Sequence, residues 1–177
     1  MKTSAEARVS GVALIDKPGG VTSFKALSEI KRRVGHGKVG HAGTLDKFAT
    51  GLLIVLIGSY TKLTPYLSGL DKSYEGSMRF GTTTTTLDPE GKELGSYPVP
   101  DRETVEKGIE AFTGGFDQVP PKFSAVHVEG RRAYQRALSG EDVNIPARRV
   151  KIGEFRLLSW EPPELRFTIS CSKGTYI

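Results

Sequence analysis

The sequence predicts an α+β protein whose mixed, mostly antiparallel sheet is flanked by helices and loops. Segments with strand character outnumber helical ones, and the two kinds do not alternate regularly as they do in doubly wound proteins. The 177 residues suit one domain with a sizeable core, and no repeat or linker divides them. We therefore expect residues 1–177 to form a single domain.

The first predicted elements are a strand, a turn and an amphipathic helix. Val12 to Ile15 forms the strand, and Thr22 or Ser23 can cap the helix by accepting a backbone N–H bond. Four apolar residues spaced three or four apart predict one continuous helical face that ends at Gly35. These four residues are Phe24, Leu27, Ile30 and Val34.

The remaining elements follow from hydrophobic periodicity and turn residues. The apolar run 52–57 predicts a buried strand, and the alternation over 73–80 predicts a half-buried one. Asp101 can cap a second amphipathic helix. We also expect a short interrupted helix over 60–67, a strand over 123–128, a short basic helix over 131–138, and an antiparallel pair from 150–160 and 165–171.

Composition excludes several classes of protein. No apolar run approaches the roughly 20 residues that span a bilayer, so we expect no membrane segment. The N-terminus lacks the apolar core of a signal peptide. Cys171 is the one cysteine and lies in an apolar run, which favours a core position over a nucleophile. Since one cysteine forms no internal disulfide, a cytoplasmic protein is expected.

Positive charge is concentrated in two segments, although the net charge is only +5. Residues 25–41 carry five basic residues and one acidic residue, which gives +4. Residues 122–151 carry seven basic and three acidic residues, which also gives +4 and leaves −3 for the rest. Clustered basic residues are typical of proteins that bind a phosphate backbone, although an ordinary solvated face is the alternative.

The most informative stretch is Gly35 to Gly58, which places Asp46 in a glycine-rich loop before a buried strand. Glycine is needed where the backbone bends sharply or approaches another group closely. At neutral pH an aspartate is a carboxylate that can act as nucleophile or base. If buried, it needs a nearby cation to remain ionised. A tight loop with a helix-capping aspartate is the alternative.

Other chemistries find little support in the sequence. The three histidines, His36, His41 and His127, have no ligand partners at metal-site spacing. The patterns of phosphate-binding loops, dinucleotide-binding folds and serine hydrolases do not occur. A glycosidase would need a second placed carboxylate, for which the sequence offers no clear candidate. A lone aspartate with basic and aromatic neighbours remains.

Five ordered segments resemble those of the TruB-type tRNA pseudouridine synthases. The most specific combines Lys38–Asp46 with the following Ala49–Leu53. The other four are Asp16–Pro18 with Gly20, Thr22 and Ser23; Lys72–Tyr74; Val119–Ala125 with Gly130 and Tyr134; and Cys171–Ile177. Together they cover nearly the whole chain from about Val12 onward. Five segments that match in the same order are not expected by chance.

The resemblance implies a pseudouridine synthase fold, with residues 1–177 as its catalytic domain and 122–149 as an insertion that grips RNA. It implies isomerisation of uridine 55 in the tRNA T-arm by a monomer without cofactor or metal. Asp46 would be the catalytic aspartate, and Tyr74 would stack on the target base and serve as a base. With the basic clusters, it implies RNA contacts from His41, Lys38, Lys17, Arg131, Arg132 and Arg148.

The sequence departs from the family pattern at two places. Lys47 stands where the family usually has proline. In the family an arginine follows directly after the segment that resembles Gly174–Ile177 and pairs with the catalytic aspartate, but this sequence ends at Ile177. We therefore expect a truncated catalytic domain without the small C-terminal RNA-binding domain, weakly active or inactive by itself.

Two rival functions fit the same residues. A non-catalytic RNA-binding module or tRNA chaperone would use the basic surface alone. An unrelated aspartate-dependent hydrolase would place a second carboxylate within reach of Asp46.

Overall fold

A computed structural model describes residues 9–121, 124, 126–128, 130–133, 136, 139, 141 and 144–177. The chain divides into two compact units, one ending at Leu70 and the other beginning at Asp71. The expectation of a single catalytic domain over 1–177 stays a prediction. Among the described residues, the first unit contains one antiparallel sheet and the second contains three.

The first unit contains three strands and several short helices. The strands are β1 (Gly11–Lys17), β2 (Val39–His41) and β3 (Gly51–Ile57). The helices are α1 (Ser23–Ala26), α2 (Ser28–Val34), a 3-10 helix (Gly58–Leu63) and α3 (Thr64–Ser68). β3 lies between β1 and β2, so the apolar run identified in the sequence is the central strand.

One face of β3 forms the core of this unit. Leu53, Val55 and Ile57 alternate along the strand and pack with Leu27. Val55 is completely buried and lies opposite Ala13 of β1 and His41 of β2. The predicted buried strand is therefore confirmed, and its neighbours bring the segments around residues 17 and 41 to the same small sheet.

The predicted continuous helix over residues 23–34 is wrong, because the helix is interrupted at Leu27. The Leu27 amide bonds to the Phe24 carbonyl at 3.3 Å, one residue closer along the chain than in an α-helix. This tighter turn changes the helical phase, so Leu27 is buried while Phe24 is 70% exposed. The Lys31 ammonium instead lies 3.9 Å from the centre of the Phe24 ring.

The second unit contains eight described strands and one described helix. The helix is α4 (Arg102–Phe112), capped as predicted by Asp101, whose Oδ1 accepts from the Thr104 amide at 2.8 Å. The strands are β4 (Lys72–Arg79), β5 (Thr82–Thr84), β6 (Glu93–Ser96), β7 (Gly114–Gln118), β8 (His127–Val128), β9 (Arg131–Arg132), β10 (Arg148–Glu161) and β11 (Glu164–Cys171).

The main sheet of this unit has the order β4–β11–β10–β7, and every pairing in it is antiparallel. Alternate residues of β11 point into one core: Leu165, Phe167, Ile169 and Cys171. Val105 of α4 joins that cluster. Cys171 is thus a core residue, as predicted, and burial raises the pKa of its thiol. The predicted pair of long strands is confirmed.

Several elements were missed by pattern analysis. β2 and β7 are short and glycine-containing, so their periodicity is weak. Within the predicted basic helix over 131–138, Arg131 and Arg132 form a strand, Ala133 and Arg136 are helical, and residues 134, 135, 137 and 138 lie outside the described residues. Much of the expected insertion over 122–149 also lies outside them. Among the described residues, no helix has the length and apolar character needed to cross a membrane.

Candidate active site

Asp46 lies in an irregular loop, residues 42–50, that joins β2 to β3 (the Asp46 loop). The loop begins with the Ala42 amide bonded to the Ile54 carbonyl at 3.0 Å. It ends at Gly51, whose φ of +110° is accessible to glycine alone among common residues. Asp46 itself is exposed. The structure therefore presents Asp46 as an accessible residue on a loop.

The residue before Asp46 is held by Ser23. The Ser23 hydroxyl donates to the Leu45 carbonyl at 3.0 Å and accepts from the Leu45 amide at 2.9 Å. Ser23 is only 2% exposed, so water does not compete for these bonds. One side chain thus satisfies both backbone groups of Leu45, as a neighbouring strand would. The sequence suggested Thr22 or Ser23 as a helix cap, and Thr22 takes that role by accepting from the Lys25 amide.

The residue after Asp46 is held from the same direction. The Gly20 amide donates to the Lys47 carbonyl at 2.8 Å, and the Lys17 ammonium donates to the same carbonyl at 3.3 Å. Gly20 has a φ of +79°, which favours glycine. Three residues of the opening segment (residues 17–23), Lys17, Gly20 and Ser23, therefore bond to the loop on both sides of Asp46 while leaving Asp46 exposed.

Lys17 is completely buried beneath this loop. Its ammonium also donates to the carbonyls of Pro18, at 3.0 Å, and Val21, at 2.8 Å. The three carbonyl dipoles compensate the hydration that the ammonium group loses when it is buried. A side chain in this position does not reach an RNA phosphate, so the predicted RNA contact from Lys17 is not supported. Its role is to join the opening segment to the Asp46 loop.

The other two predicted RNA contacts of the first unit lie close to the loop in sequence. His41 is the last residue of β2, is partly buried, and its Nδ1 contacts the Gly43 carbonyl. Lys38 is exposed just before β2, and its carbonyl accepts from the Gly58 amide at 2.8 Å. The Lys38 side chain is therefore accessible, while its backbone is fixed to the end of β3.

Part of the positive charge in this unit is offset within α2. Arg33 and Arg32 both hydrogen-bond to Glu29, Arg33 through Nε at 2.8 Å. These bonds, that of Arg33 first, lower the pKa of the Glu29 carboxyl. Both guanidinium groups are more than three-quarters exposed. Arg32, Arg33 and Glu29 thus form two solvent-exposed ion pairs whose combined charge is still positive.

Tyr74 lies in the second unit, on β4 opposite Ile169 of β11. It is partly buried and packs against the apolar cluster of that unit. This face is the one predicted by the alternation of residues 73–80. Its neighbour Ser73 points to the other face, where its hydroxyl bonds to that of Ser170 at 2.7 Å.

The three predicted arginine contacts are also in the second unit. Arg131 is exposed and pairs with Glu141 at 3.2 Å, while Arg136 bonds to the same carboxyl at 2.7 Å. The Arg136 bond is the main cause of a lowered pKa for Glu141. Arg132 belongs to β9, and its side chain lies outside the described residues. Arg148 is partly buried, with its guanidinium carbon 4.8 Å from the centre of the Tyr176 ring.

Tyr176 belongs to an irregular segment after β11, residues 172–177 (the late segment). The Gln118 side chain donates to the Tyr176 carbonyl at 2.7 Å and accepts from the Tyr176 amide at 2.9 Å. The Ser172 hydroxyl accepts from the Lys151 amide at 2.9 Å. Pattern analysis missed Gln118, because a contact between residues so far apart in sequence has no local signal. Among the described residues, no group of three or more acidic, histidine or cysteine side chains could hold a metal ion.

Comparison with known proteins identifies the family to which this sequence belongs. Residues 31–177 match the model of the TruB family pseudouridylate synthase, N-terminal domain. tRNA pseudouridine synthase B of Borreliella burgdorferi (strain ZS7) is 45% identical over 171 residues, which are 95% of this chain and 61% of that protein. The same enzyme of Caulobacter vibrioides is 43% identical over 171 residues, 96% of this chain and 55% of that protein. The chain thus spans about 60% of the length of such relatives.

Solved structures agree on the fold. A chain of a Cbf5–Nop10–Gar1 complex superposes with a TM-score of 0.66 at 25% identity, covering 94% of this chain and 41% of that one. A chain of an H/ACA RNP bound to a substrate RNA containing 2'-deoxyuridine gives a TM-score of 0.65 at 22% identity, covering 94% and 39%. The predicted α+β fold is therefore confirmed. Because this family model matches most of the length of the chain, the chain belongs to the TruB family of pseudouridylate synthases.

Proposed function

We propose that this chain carries the catalytic aspartate of a tRNA pseudouridine synthase that modifies uridine 55 in the T-arm. The observation that carries the proposal is the Asp46 loop, in which Leu45 and Lys47 are bonded to the opening segment while Asp46 is exposed. A reactive group must be accessible and held in a fixed position. The curated relatives are named tRNA pseudouridine synthase B, which supports the substrate.

In the proposed reaction, the bond between N1 of uracil and C1′ of ribose breaks and a bond between C5 and C1′ forms. The proton leaves C5, and N1 gains one. Asp46 acts as the nucleophile, at C6 of uracil or C1′ of ribose, or as a base on ribose. These three routes remain alternatives. Tyr74 is proposed to stack on the extruded uracil, because contact with an aromatic ring offsets the cost of unstacking the nucleotide. Tyr74 is also proposed to accept a proton during the reaction.

RNA binding is proposed to use the exposed basic residues. In the first unit Lys25, Lys38 and Lys47 are exposed, and in the second unit Arg131 is exposed. Exposed cations attract phosphates and release counterions, so affinity for tRNA should fall as salt rises. His41, Arg132 and Arg148 complete the proposed set of contacts, acting in a monomer in the cytoplasm.

The test is isomerisation of a tRNA transcript that carries tritium at C5 of uridine, which is released when C5 loses its hydrogen. It uses the protein as its gene encodes it. We expect release from a normal transcript and none from one with cytidine at position 55. Asp46→Asn should reduce release by about 10³-fold or more while tRNA binding is retained, because only the reactive carboxylate is lost.

Asp117→Asn is the matched control. Asp117 is also exposed, and its carboxyl lies 3.7 Å from the Arg149 guanidinium in a surface ion pair, so its loss should leave turnover unchanged. Undiminished tritium release by Asp46→Asn would refute the catalytic role. Binding of tRNA by the wild-type protein with no release would favour the RNA-binding module or chaperone.

A further inference from the structure

We propose that Ser23 is a positioning residue for Asp46, so that its hydroxyl sets the rate of the chemical step without contacting the substrate. This rests on the proposed function of Asp46. The hydroxyl bonds to Leu45 alone among the described residues, and it does so twice, at 3.0 Å and 2.9 Å. Ser23 and Leu45 are 22 residues apart, so the contact is made by the tertiary fold.

The bond to the Leu45 carbonyl is the more important one. That carbonyl and the Asp46 amide belong to one planar peptide group. Fixing the Leu45 oxygen therefore fixes the plane from which the Asp46 backbone begins. The Lys47 carbonyl on the other side is fixed by the Gly20 amide at 2.8 Å. With both flanking groups held, the Asp46 carboxylate retains little freedom beyond its own rotamers.

Ser23 is also suited to this role by burial. Because Ser23 is only 2% exposed, bulk water cannot take over the hydrogen bonds of its hydroxyl when that group is removed. Thr22, its neighbour, offers a contrast, because it is exposed and its hydroxyl caps α1 by accepting from the Lys25 amide at 3.2 Å. The two adjacent hydroxyls therefore separate helix capping from loop positioning.

The experiment compares Ser23→Ala with Thr22→Ala in single-turnover tritium release at saturating tRNA. A displacement of about 1 Å at a reactive group can cost about 10²-fold in rate. We expect Ser23→Ala to lower the single-turnover rate constant by about 10- to 100-fold with tRNA affinity within about 2-fold of wild type. Thr22→Ala should keep the wild-type rate constant, because its hydroxyl does not touch the loop.

Hydrogen exchange of the Leu45 amide gives a second readout that needs no activity. We expect faster exchange of this amide in Ser23→Ala and an unchanged rate in Thr22→Ala, because only the first removes its acceptor. Ser23→Cys serves if Ser23→Ala does not fold. A thiol is a weak donor and acceptor, so a lowered rate constant is expected there too.

The outcomes separate this inference from the proposed function. Wild-type rate constants in folded Ser23→Ala or Ser23→Cys, with Asp46→Asn inactive, would overturn the role of Ser23 and leave that of Asp46 intact. Full activity of Asp46→Asn would overturn the proposed function itself. A loss in Ser23→Ala that is matched by Thr22→Ala would show a general stability effect and would also overturn positioning.

Discussion

The Asp46 loop in the first unit and the late segment in the second are held in place by the same kind of contact. Each is irregular backbone, and each is held by a side chain that bonds to both the N–H and the C=O of one residue. Ser23 does this to Leu45 across 22 residues, and Gln118 does it to Tyr176 across 58 residues. In both places a side chain replaces a neighbouring strand, so the backbone is fixed without entering a sheet.

The two arrangements differ in burial and in number of supports. Ser23 is buried, and Lys17, fully buried, adds a cation beneath the same loop. Gln118 is only partly buried, so water can replace some of its bonds. We infer that the Asp46 loop tolerates substitution of its supports poorly and that the late segment tolerates it better. The following predictions test this difference.

The largest effect is expected from Lys17→Met. Methionine fills similar space but leaves the carbonyls of Pro18, Val21 and Lys47 without the ammonium. Loss of a charged hydrogen-bond partner at a buried site should reduce the free energy of unfolding by about 3 kcal/mol. Hydrogen exchange of the β3 amides measures this, because it reports opening of the first unit.

Lys62→Met is the control for that measurement. Lys62 is an exposed lysine of the 3-10 helix (Gly58–Leu63) in the same unit. Its loss should change stability by less than about 0.5 kcal/mol. An effect of Lys17→Met as small as this would contradict the inference that the loop depends on its buried support.

A smaller effect is expected from Gln118→Ala, about 1–2 kcal/mol, because two bonds are lost at a partly solvated site. Trp160, the one tryptophan, lies in the second unit, so its fluorescence reports unfolding there. A loss larger than that of Lys17→Met would reverse the comparison between the two segments.

The smallest effect is expected at Asp101, whose exposed side chain accepts a hydrogen bond from the Thr104 amide. The Thr104 hydrogen bonds lower the pKa of the Asp101 carboxyl. The lowered pKa stabilises the fold at pH values above the ordinary value for aspartate. This contribution should begin to fall at about pH 4 and should vanish only below the lowered native pKa. Asp101→Asn should keep the cap and remove only this pH dependence, as measured by Trp160 fluorescence in urea. An unchanged pH dependence would contradict it.

Local patterns in the sequence identified much of the framework. The alternation over 73–80 and the apolar run 52–57 specify strands because a face of each must be buried. Asp101 marked its helix start because capping is a local interaction. Asp46 was singled out because glycines and a carboxylate stand together before a core strand, and its loop lies there.

Failures of prediction share one cause. The tighter turn at Leu27 leaves Leu27 buried and Phe24 exposed, and a regular apolar spacing does not indicate where a helix changes its winding. The family resemblance and the basic clusters placed Lys17 among the RNA contacts, yet the structure buries its ammonium against three carbonyls. Gln118 carried no signal because its partner is 58 residues away.

The sequence by itself determined strands β1, β3, β4, β10 and β11, the capped helix α4, the buried cysteine and the family. These depend on interactions between residues close in sequence or on the residues themselves. Only the tertiary structure decided which side chains hold the Asp46 loop and the late segment. Those bonds form when distant parts of the chain meet, and the free energy of a buried hydrogen bond depends on that meeting rather than on either residue alone.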